Sequence, residues 1–547
     1  MQNAEKLDFK ITGGWIIDGT GAPRRRADLG VRDGRIAAIG ELGAHPARHA
    51  WDASGKIVAP GFIDVHGHDD LMFVEKPDLR WKTSQGITTV VVGNCGVSAA
   101  PAPLPGNTAA ALALLGETPL FADVPAYFAA LDAQRPMINV AALVGHANLR
   151  LAAMRDPQAA PTAAEQQAMQ DMLQAALEAG AVGFSTGLAY QPGAAAQAAE
   201  LEGLARVAAE RRRLHTSHIR DEADGVEAAV EEVLAIGRGT GCATVVSHHK
   251  CMMPQNWGRS RATLANIDRA REQGVEVALD IYPYPGSSTI LIPERAETID
   301  DIRITWSTPH PECSSEYLAD IAARWGCDKT TAARRLAPAG AIYFAMDEDE
   351  VKRIFQHPCC MVGSDGLPND ARPHPRLWGS FTRVLGRYVR EARLMTLEQA
   401  VARMTALPAR VFGFAERGVL QPGPGRTWWC STPTRWPTAP PGTSRRWRRS
   451  ASPACWSMAP KSSRSRLPMA APARCCAPAP ERACFFSLRI DIETETSHAQ
   501  DPGRSGPDGR VARGARRFSR APDHADRAVP GRRPDRYRRP RGRGQGR

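Results

Sequence analysis

The sequence predicts an α/β fold built on a parallel sheet, open or closed into a barrel, with a small β-rich segment ahead of it. Three observations predict it. Short strands separated by glycine turns fill the first sixty residues, a strand–helix rhythm runs from about Pro60 onward, and metal-binding or titratable side chains sit where the strands of that rhythm end.

Ile11 to Asp18, Asp28 to Arg32, Arg35 to Gly40 and Lys56 to Val58 cluster β-forming residues around Gly13-Gly14, Asp33-Gly34 and Ser54-Gly55. In the second segment, Thr162 and Glu165 form a capping box. Met169, Met172, Leu173, Ala176 and Leu177 share one face of the helix that follows. Gly180 ends that helix, and Ala181 to Ser185 reads as a strand. Helix 226–237 precedes strand 243–247, and helix 262–273 precedes strand 275–281. Repeated units of this kind demand parallel strands, but periodicity does not choose between an open sheet and a closed one.

The 547 residues can bury a large core and allow more than one domain. No apolar run reaches about 18 residues, so no transmembrane helix is expected. Met1 to Asp8 lacks the apolar core of a signal peptide, which points to a cytoplasmic protein with reduced thiols. The net charge of +12 is unevenly placed, because residues 423–547 hold 27 Lys/Arg against 9 Asp/Glu. The remainder is mildly acidic, ordinary for a soluble enzyme. A basic tail invites a nucleic-acid partner, but the origin of this tail, argued below, removes that reason. Neither nucleic acid nor membrane is expected as a partner.

The most informative stretch is Phe62-Ile63-Asp64-Val65-His66-Gly67-His68. Apolar residues run directly into His-x-His, and residues i and i+2 of an extended chain point the same way. Four further strand ends carry matching chemistry: Cys95 after Thr89 to Val92, His218 after Leu214 to Ser217, His248 after Ala243 to Ser247, and Asp365 after Met361 to Ser364. Imidazole, thiolate and carboxylate are together the preferred ligands of Zn²⁺.

With Gly61-Phe62-Ile63-Asp64 ahead of it, His66-x-His68 resembles the opening signature of the amidohydrolase superfamily. Gly93-Asn94-Cys95-Gly96, Thr216-Ser217-His218-Ile219-Arg220-Asp221-Glu222, Ser247-His248-His249-Lys250, Asp280-Ile281-Tyr282-Pro283-Tyr284 and Gly363-Ser364-Asp365-Gly366-Leu367-Pro368 resemble the N-acyl-D-amino-acid deacylases. The resemblance covers roughly residues 7–422. It implies an α/β fold: a (β/α)8 TIM-like barrel over 61–415, with residues 1–60 giving the N-terminal strands of a small flanking β-sandwich. It implies a zinc-dependent hydrolase of linear amides, with Cys95, His218 and His248 holding a tight zinc, His66 and His68 a second, weaker one, and Asp365 acting as general acid and base. Lys250, Tyr282 and Arg295 would bind the substrate carboxylate, with Ser288 and Tyr190 as further candidates. Arg372 and Arg376 are candidates for a second carboxylate. His215 and His249 read as structural. The runs His66 to Pro77 and Lys250 to Gly258 look most like the D-glutamate-specific branch; the alternatives are N-acyl-D-aspartate or broad specificity. A cyclic-amide hydrolase of the dihydroorotase or hydantoinase type would favour a bridging lysine, and Cys95 argues against it. A non-enzymatic zinc or nucleic-acid-binding protein is the remaining rival.

From about Gly423 the composition breaks. Residues 423–480 contain no Asp, Glu, Ile, Val, Phe, Tyr or Asn, which buried β-structure does not tolerate. Read one nucleotide earlier, Trp428-Trp429-Cys430 (TGG TGG TGY) becomes NTG GTG GTG, ending in Val-Val. The permitted choices over 424–434 then include Ala-Trp-Ala-Asp-Val-Val-Val-Phe-Asp-Pro-Asp. Cys455 to Ala459 permits a stretch ending Leu-Val-Asn-Gly, and a stop codon is permitted at Pro480–Glu481. Both stretches resemble the closing strands of amidohydrolases. Residues 416–480 therefore read as the position of the C-terminal sandwich strands, out of frame, and 481–547 as an out-of-frame, disordered tail.

Overall fold

A computed structural model of the chain describes residues 6–423 and the strand Trp428–Ser431. The expectations for the rest of the tail, from the out-of-frame reading of residues 432–480 to the disorder of 481–547, lie outside the described residues.

Seven strands come first: β1 Leu7–Thr12, β2 Trp15–Ile16, β3 Arg25–Arg26, β4 Asp28–Arg32, β5 Arg35–Gly40, β6 Ala47–Asp52 and β7 Ile57–Pro60. Gly13-Gly14 breaks the predicted run from Ile11 to Asp18 into β1 and β2. The strands form two sheets, ordered β5-β4-β1-β6 and, with β19 Trp428–Ser431, β19-β7-β2-β3. Ile11, Leu29, Val31 and Ile36 of the first sheet bury one apolar cluster with Ile16 and Val58 of the second. The chain returns to these sheets after the barrel. Leu420 joins the same cluster, the Gly423 amide donates to the Ile36 carbonyl at 2.9 Å, and β19 pairs antiparallel with β7.

Eight strands then run parallel in the order β18-β14-β13-β12-β11-β10-β9-β8. They are β8 Phe62–Asp64, β9 Ile87–Val92, β10 Asn139–Gly145, β11 Gly183–Gly187, β12 Leu214–His218, β13 Ala243–Val246, β14 Val277–Ile281 and β18 Cys360–Val362. The sheet closes into a barrel. Val91 and Val245 join Ile63, Leu143, Ala278 and Met361 in one cluster, whereas their neighbours Val90, Val92 and Val246 pack into the clusters shared with the helices. That alternation is the period of two expected of strands lined on both faces. The helix Ala163–Glu178 carries the predicted capping box, with Thr162 Oγ1 accepting from Glu165 N and Glu165 accepting from Thr162 N, a device worth about 1 kcal/mol. Met169, Leu173, Ala176 and Leu177 are buried beneath it.

The seam between the first and last barrel strands is built differently from the other seven. Its backbone link is a parallel bridge between Gly67 and Gly366, just past the strand ends, and an Asp365 N–H donating to His66 O at 2.7 Å. Side chains supply the rest. Asp64 Oδ1 accepts from Ser364 N at 2.8 Å, and the buried Lys82 ammonium donates to Asp64 Oδ2 at 2.6 Å and Ser364 Oγ at 2.9 Å while pairing with Asp69 at 2.9 Å.

Between β14 and β18 the chain leaves the barrel to make a three-stranded antiparallel sheet, ordered β15-β17-β16, from β15 Ser287–Ile290, β16 Ile302–Ser307 and β17 Ala339–Tyr343. Helices Leu318–Trp325 and Lys329–Leu336 accompany it. Among the described residues no helix is long and apolar enough to cross a membrane.

Candidate metal centre and substrate cleft

The five strand-end motifs converge. The ligand atoms of Cys95, His218 and His248 all lie within 4.8 Å of one another, and so do those of His66, His68, Cys95 and Asp365. Cys95 belongs to both groups: its Sγ is 3.3 Å from His66 Nε2 and 3.3 Å from His248 Nε2. His68 Nε2 is 3.2 Å from Asp365 Oδ1. All six side chains are buried.

Local backbone aims them. Cys95, His248 and Asp365 have φ of 55°, 34° and 48°, a region that non-glycine residues rarely occupy and that concentrates at functional sites. Gly93 makes the turn before Cys95 possible, because at its φ of 79° a Cβ would lie 2.2 Å from the Leu143 carbonyl oxygen.

The electrostatics favour a thiolate at Cys95 and a carboxylate at Asp365. Burial pushes the Cys95 thiol up, but the imidazoles of His66 and His248 outweigh it and hold the thiol well below its usual range, the thiolate being the form that ligates. Burial likewise opposes ionisation of Asp365, yet Arg376 and the neighbouring histidines keep it well below the carboxylate range. Arg376 Nη1 lies 2.8 Å from Asp365 Oδ2. His218 supplies the clearest sign of a missing partner. Its ring is buried against His248, with centroids 4.4 Å apart, and neither of its nitrogens has a hydrogen-bond partner among the described residues. Buried polar atoms are rarely left so. A thiolate and two imidazoles around one point, one of them orphaned, fit a zinc ion.

Two carboxylates of this centre were not singled out by sequence. Glu222 Oε1 lies 3.2 Å from His248 Nδ1 and pairs with Lys250, and Asp280 lies 3.4 Å from His66 Nδ1. Carboxylates behind metal histidines orient the ring and raise its basicity. The available signal for Glu222 was its place four residues after His218.

The cleft over this centre occupies about 340 Å³ measured out to solvent. Lys250, Tyr190, Ser288 and Arg295 line it. Lys250 is committed to Glu222 and to His248 Nδ1, 2.9 Å away. Tyr190 OH shares a hydrogen bond of 2.9 Å with Thr289 Oγ1, and its ring packs 4.7 Å from that of His218. Arg295 forms no ion pair among the described residues; its guanidinium lies 5.2 Å over the Tyr343 ring. The hydroxyls of Ser287 and Ser288 have no hydrogen-bond partner among the described residues. Tyr282 and Arg376 sit deeper, fully buried and outside the lining, with the guanidinium 4.5 Å over the Tyr282 ring and Arg376 Nη2 donating to Ser288 O at 2.7 Å. Arg372 is exposed and outside the lining. His215 and His249 stand apart from the centre, bonded to Thr186 Oγ1 and Thr263 Oγ1 at 2.9 and 2.7 Å.

The profile of the amidohydrolase family matches residues 49–281 and 197–424. An N-acyl-D-glutamate deacylase of Alcaligenes xylosoxydans xylosoxydans is 80% identical over 419 residues, 77% of this chain and 86% of that protein. The crystal structure of N-acyl-D-glutamate deacylase from Bordetella bronchiseptica, complexed with zinc and a phosphonate mimic of the tetrahedral intermediate, is 97% identical with a TM-score of 0.78, covering 78% of this chain and 90% of that one. A structure of D-aminoacylase, described by one-metal activation and second-metal attenuation of a binuclear centre, is 46% identical with a TM-score of 0.75, covering 78% and 90%.

Proposed function

The chain belongs to the amidohydrolase family, and from that premise we propose that it hydrolyses the amide bond of N-acyl-D-amino acids, N-acyl-D-glutamate foremost, giving a carboxylate and the free D-amino acid. The observation that carries the proposal is the buried thiolate–imidazole cluster with an ionised Asp365 against it. The 80% and 97% identities to D-glutamate deacylases, against 46% to a D-aminoacylase, support the choice of amino acid.

Cys95, His218 and His248 would hold one zinc ion tightly, and His66 and His68, sharing the same thiolate, a second more weakly. When bound, zinc polarises the amide carbonyl and lowers the pKa of water beside it. Everything else falls to the chain. Arg376 fixes Oδ2 of Asp365 and keeps the group ionised, so Oδ1 can take a proton from the attacking water and return it to the departing nitrogen. Glu222 and Asp280 lock the His248 and His66 rings. Arg295, Ser288 and Tyr190, with the ammonium of Lys250, receive the carboxylates of the substrate, the planar guanidinium suiting bidentate recognition. Tyr282 and Arg376 support them from below, the latter with an Nε that has no hydrogen-bond partner among the described residues.

Turnover of N-acetyl-D-Glu, N-acetyl-D-Asp, N-acetyl-D-Met and N-acetyl-L-Glu, measured beside zinc content, tests this. The D-glutamate derivative is expected to be hydrolysed best, the L enantiomer not at all, and activity to follow zinc. Hydrolysis of the L substrate at a comparable rate, or full activity without metal, would overturn the proposal.

A further inference from the structure

N-acetyl-D-glutamate has one apolar terminus. Both ends of its amino-acid half are carboxylates, so of its ends only the acyl methyl gains from an apolar surface, and a carboxylate set against leucines would lose its hydration without compensation. The cleft has one matching surface. Among its lining residues Leu114 and Leu367 are the only aliphatic side chains. They come from the loops after β9 and β18, and the short helix that carries Leu114 packs against β15, which carries Ser288, while Lys250 comes from the loop after β13.

From this we infer that Leu114 and Leu367 form the acyl wall of the cleft and restrict the enzyme to short acyl groups; the inference rests on the deacylase reading above. The wall is built rather than incidental. Leu114 ends one side of the short helix Ala110–Leu115, and its carbonyl accepts from Asn369 Nδ2 at 3.3 Å, which ties that helix to the loop carrying Asp365 and Leu367. The helix ends against the same side chain, since a Cβ on Gly116 would lie 3.0 Å from the Asn369 amide and Gly116 has a φ of 93°. Behind the wall, Leu114 and Leu367 belong to one apolar cluster with Leu115, Leu377 and Tyr190. The leucines therefore have little room to retreat.

The inference is tested with zinc-loaded enzyme and the formyl, acetyl, butyryl and octanoyl derivatives of D-glutamate. The unaltered chain is expected to lose kcat/KM steeply beyond acetyl. Leu114→Ala and Leu367→Ala are each expected to raise the octanoyl-to-acetyl ratio by about tenfold or more, the discrimination that one or two methylenes command in an apolar pocket. Leu114→Phe should narrow the site and raise the formyl-to-acetyl ratio, which keeps the test open if an alanine variant does not fold. With the acyl group fixed as acetyl, the order of preference among D-Glu, D-Asp and D-Met should stay as it is. Unchanged acyl ratios in folded, zinc-loaded variants would overturn the inference, and so would a changed amino-acid order with an unchanged acyl series. Failure of the unaltered enzyme to release D-glutamate from any of the series would instead remove the deacylase reading beneath it.

Discussion

The two sides of the cleft are carried by different kinds of backbone. On one side, His66, His68, Cys95, His218, His248 and Asp365 each sit within a few residues of the C-terminal end of a barrel strand, buried, with carboxylates or a guanidinium fixed behind three of them. On the other, Ser288 lies on a short strand and Arg295 on a single helical turn, both in the excursion between β14 and β18. There the serine hydroxyl has no partner and the arginine makes no ion pair among the described residues. The difference separates the proposed metal and proton-transfer residues from Ser288 and Arg295, whereas Tyr190 and Lys250 of the proposed recognition set lie just past β11 and β13. A reaction needs atoms held to a fraction of an ångström, which strands provide, while specificity can be rewritten on an inserted element without disturbing the scaffold.

Four experiments probe that contrast. The largest effect is expected for Cys95→Ala, which takes a ligand from both groups: zinc and turnover should both be lost. Full zinc content and normal turnover in this variant would end the metal assignment. Next, Asp365→Asn should keep the tight zinc yet lower kcat by about 10²–10⁴-fold, with KM little moved; a mild loss of kcat would place the proton transfer elsewhere. On the recognition side, Arg295→Ala should raise KM for acyl-D-amino acids by about 10–100-fold, the worth of one hydrogen bond to a charged group, and leave the corresponding amides nearly untouched. Equal losses on acids and amides would mean that Arg295 shapes the cleft instead of reading charge. The smallest effect on activity belongs to the tail. We propose that residues from about Gly423 onward are out of frame, so an expression clone with the frame restored near codon 423 should melt at a higher temperature while kcat/KM stays the same. An unchanged melting temperature would count against the frame argument. The register of β19 bears on this: Trp429 and Cys430 pair with Ala59 and Val58, and the shifted frame puts β-branched valines, good strand formers, at those two positions.

The metal side was legible because its signals are local. His66 and His68 are two residues apart at the end of an apolar run, and a thiol, two imidazoles and a carboxylate recur at the ends of other strands. The recognition side was less so. Ser287-Ser288-Thr289 is too polar to stand out as a strand, yet it pairs with β17, some fifty residues later. Arg376 reads in sequence as a free cation near Asp365, and only the fold reveals that one face of its guanidinium is spent on that carboxylate. Glu222 and Asp280 lie inside recognisable motifs, but the partner of Asp280, His66, is 214 residues away. No periodicity encodes such a distance. Among the small strands, β6 escaped notice because its residues are mostly exposed and lack the alternation that betrays a half-buried strand.

The seam between β8 and β18 also has a history within each molecule. Asp64 and Ser364, which bond across it, are 300 residues apart, so a ribosome adding about 5–20 residues per second leaves the first strand waiting roughly 15–60 s for the last. Throughout that interval Lys82 can already neutralise Asp64 and Asp69, its neighbours in sequence, while the slot for Ser364 stays open. The four clustered histidines, Cys95 and their backing carboxylates are all synthesised before Asp365. In birth order as in space, that aspartate is the piece that closes the ring.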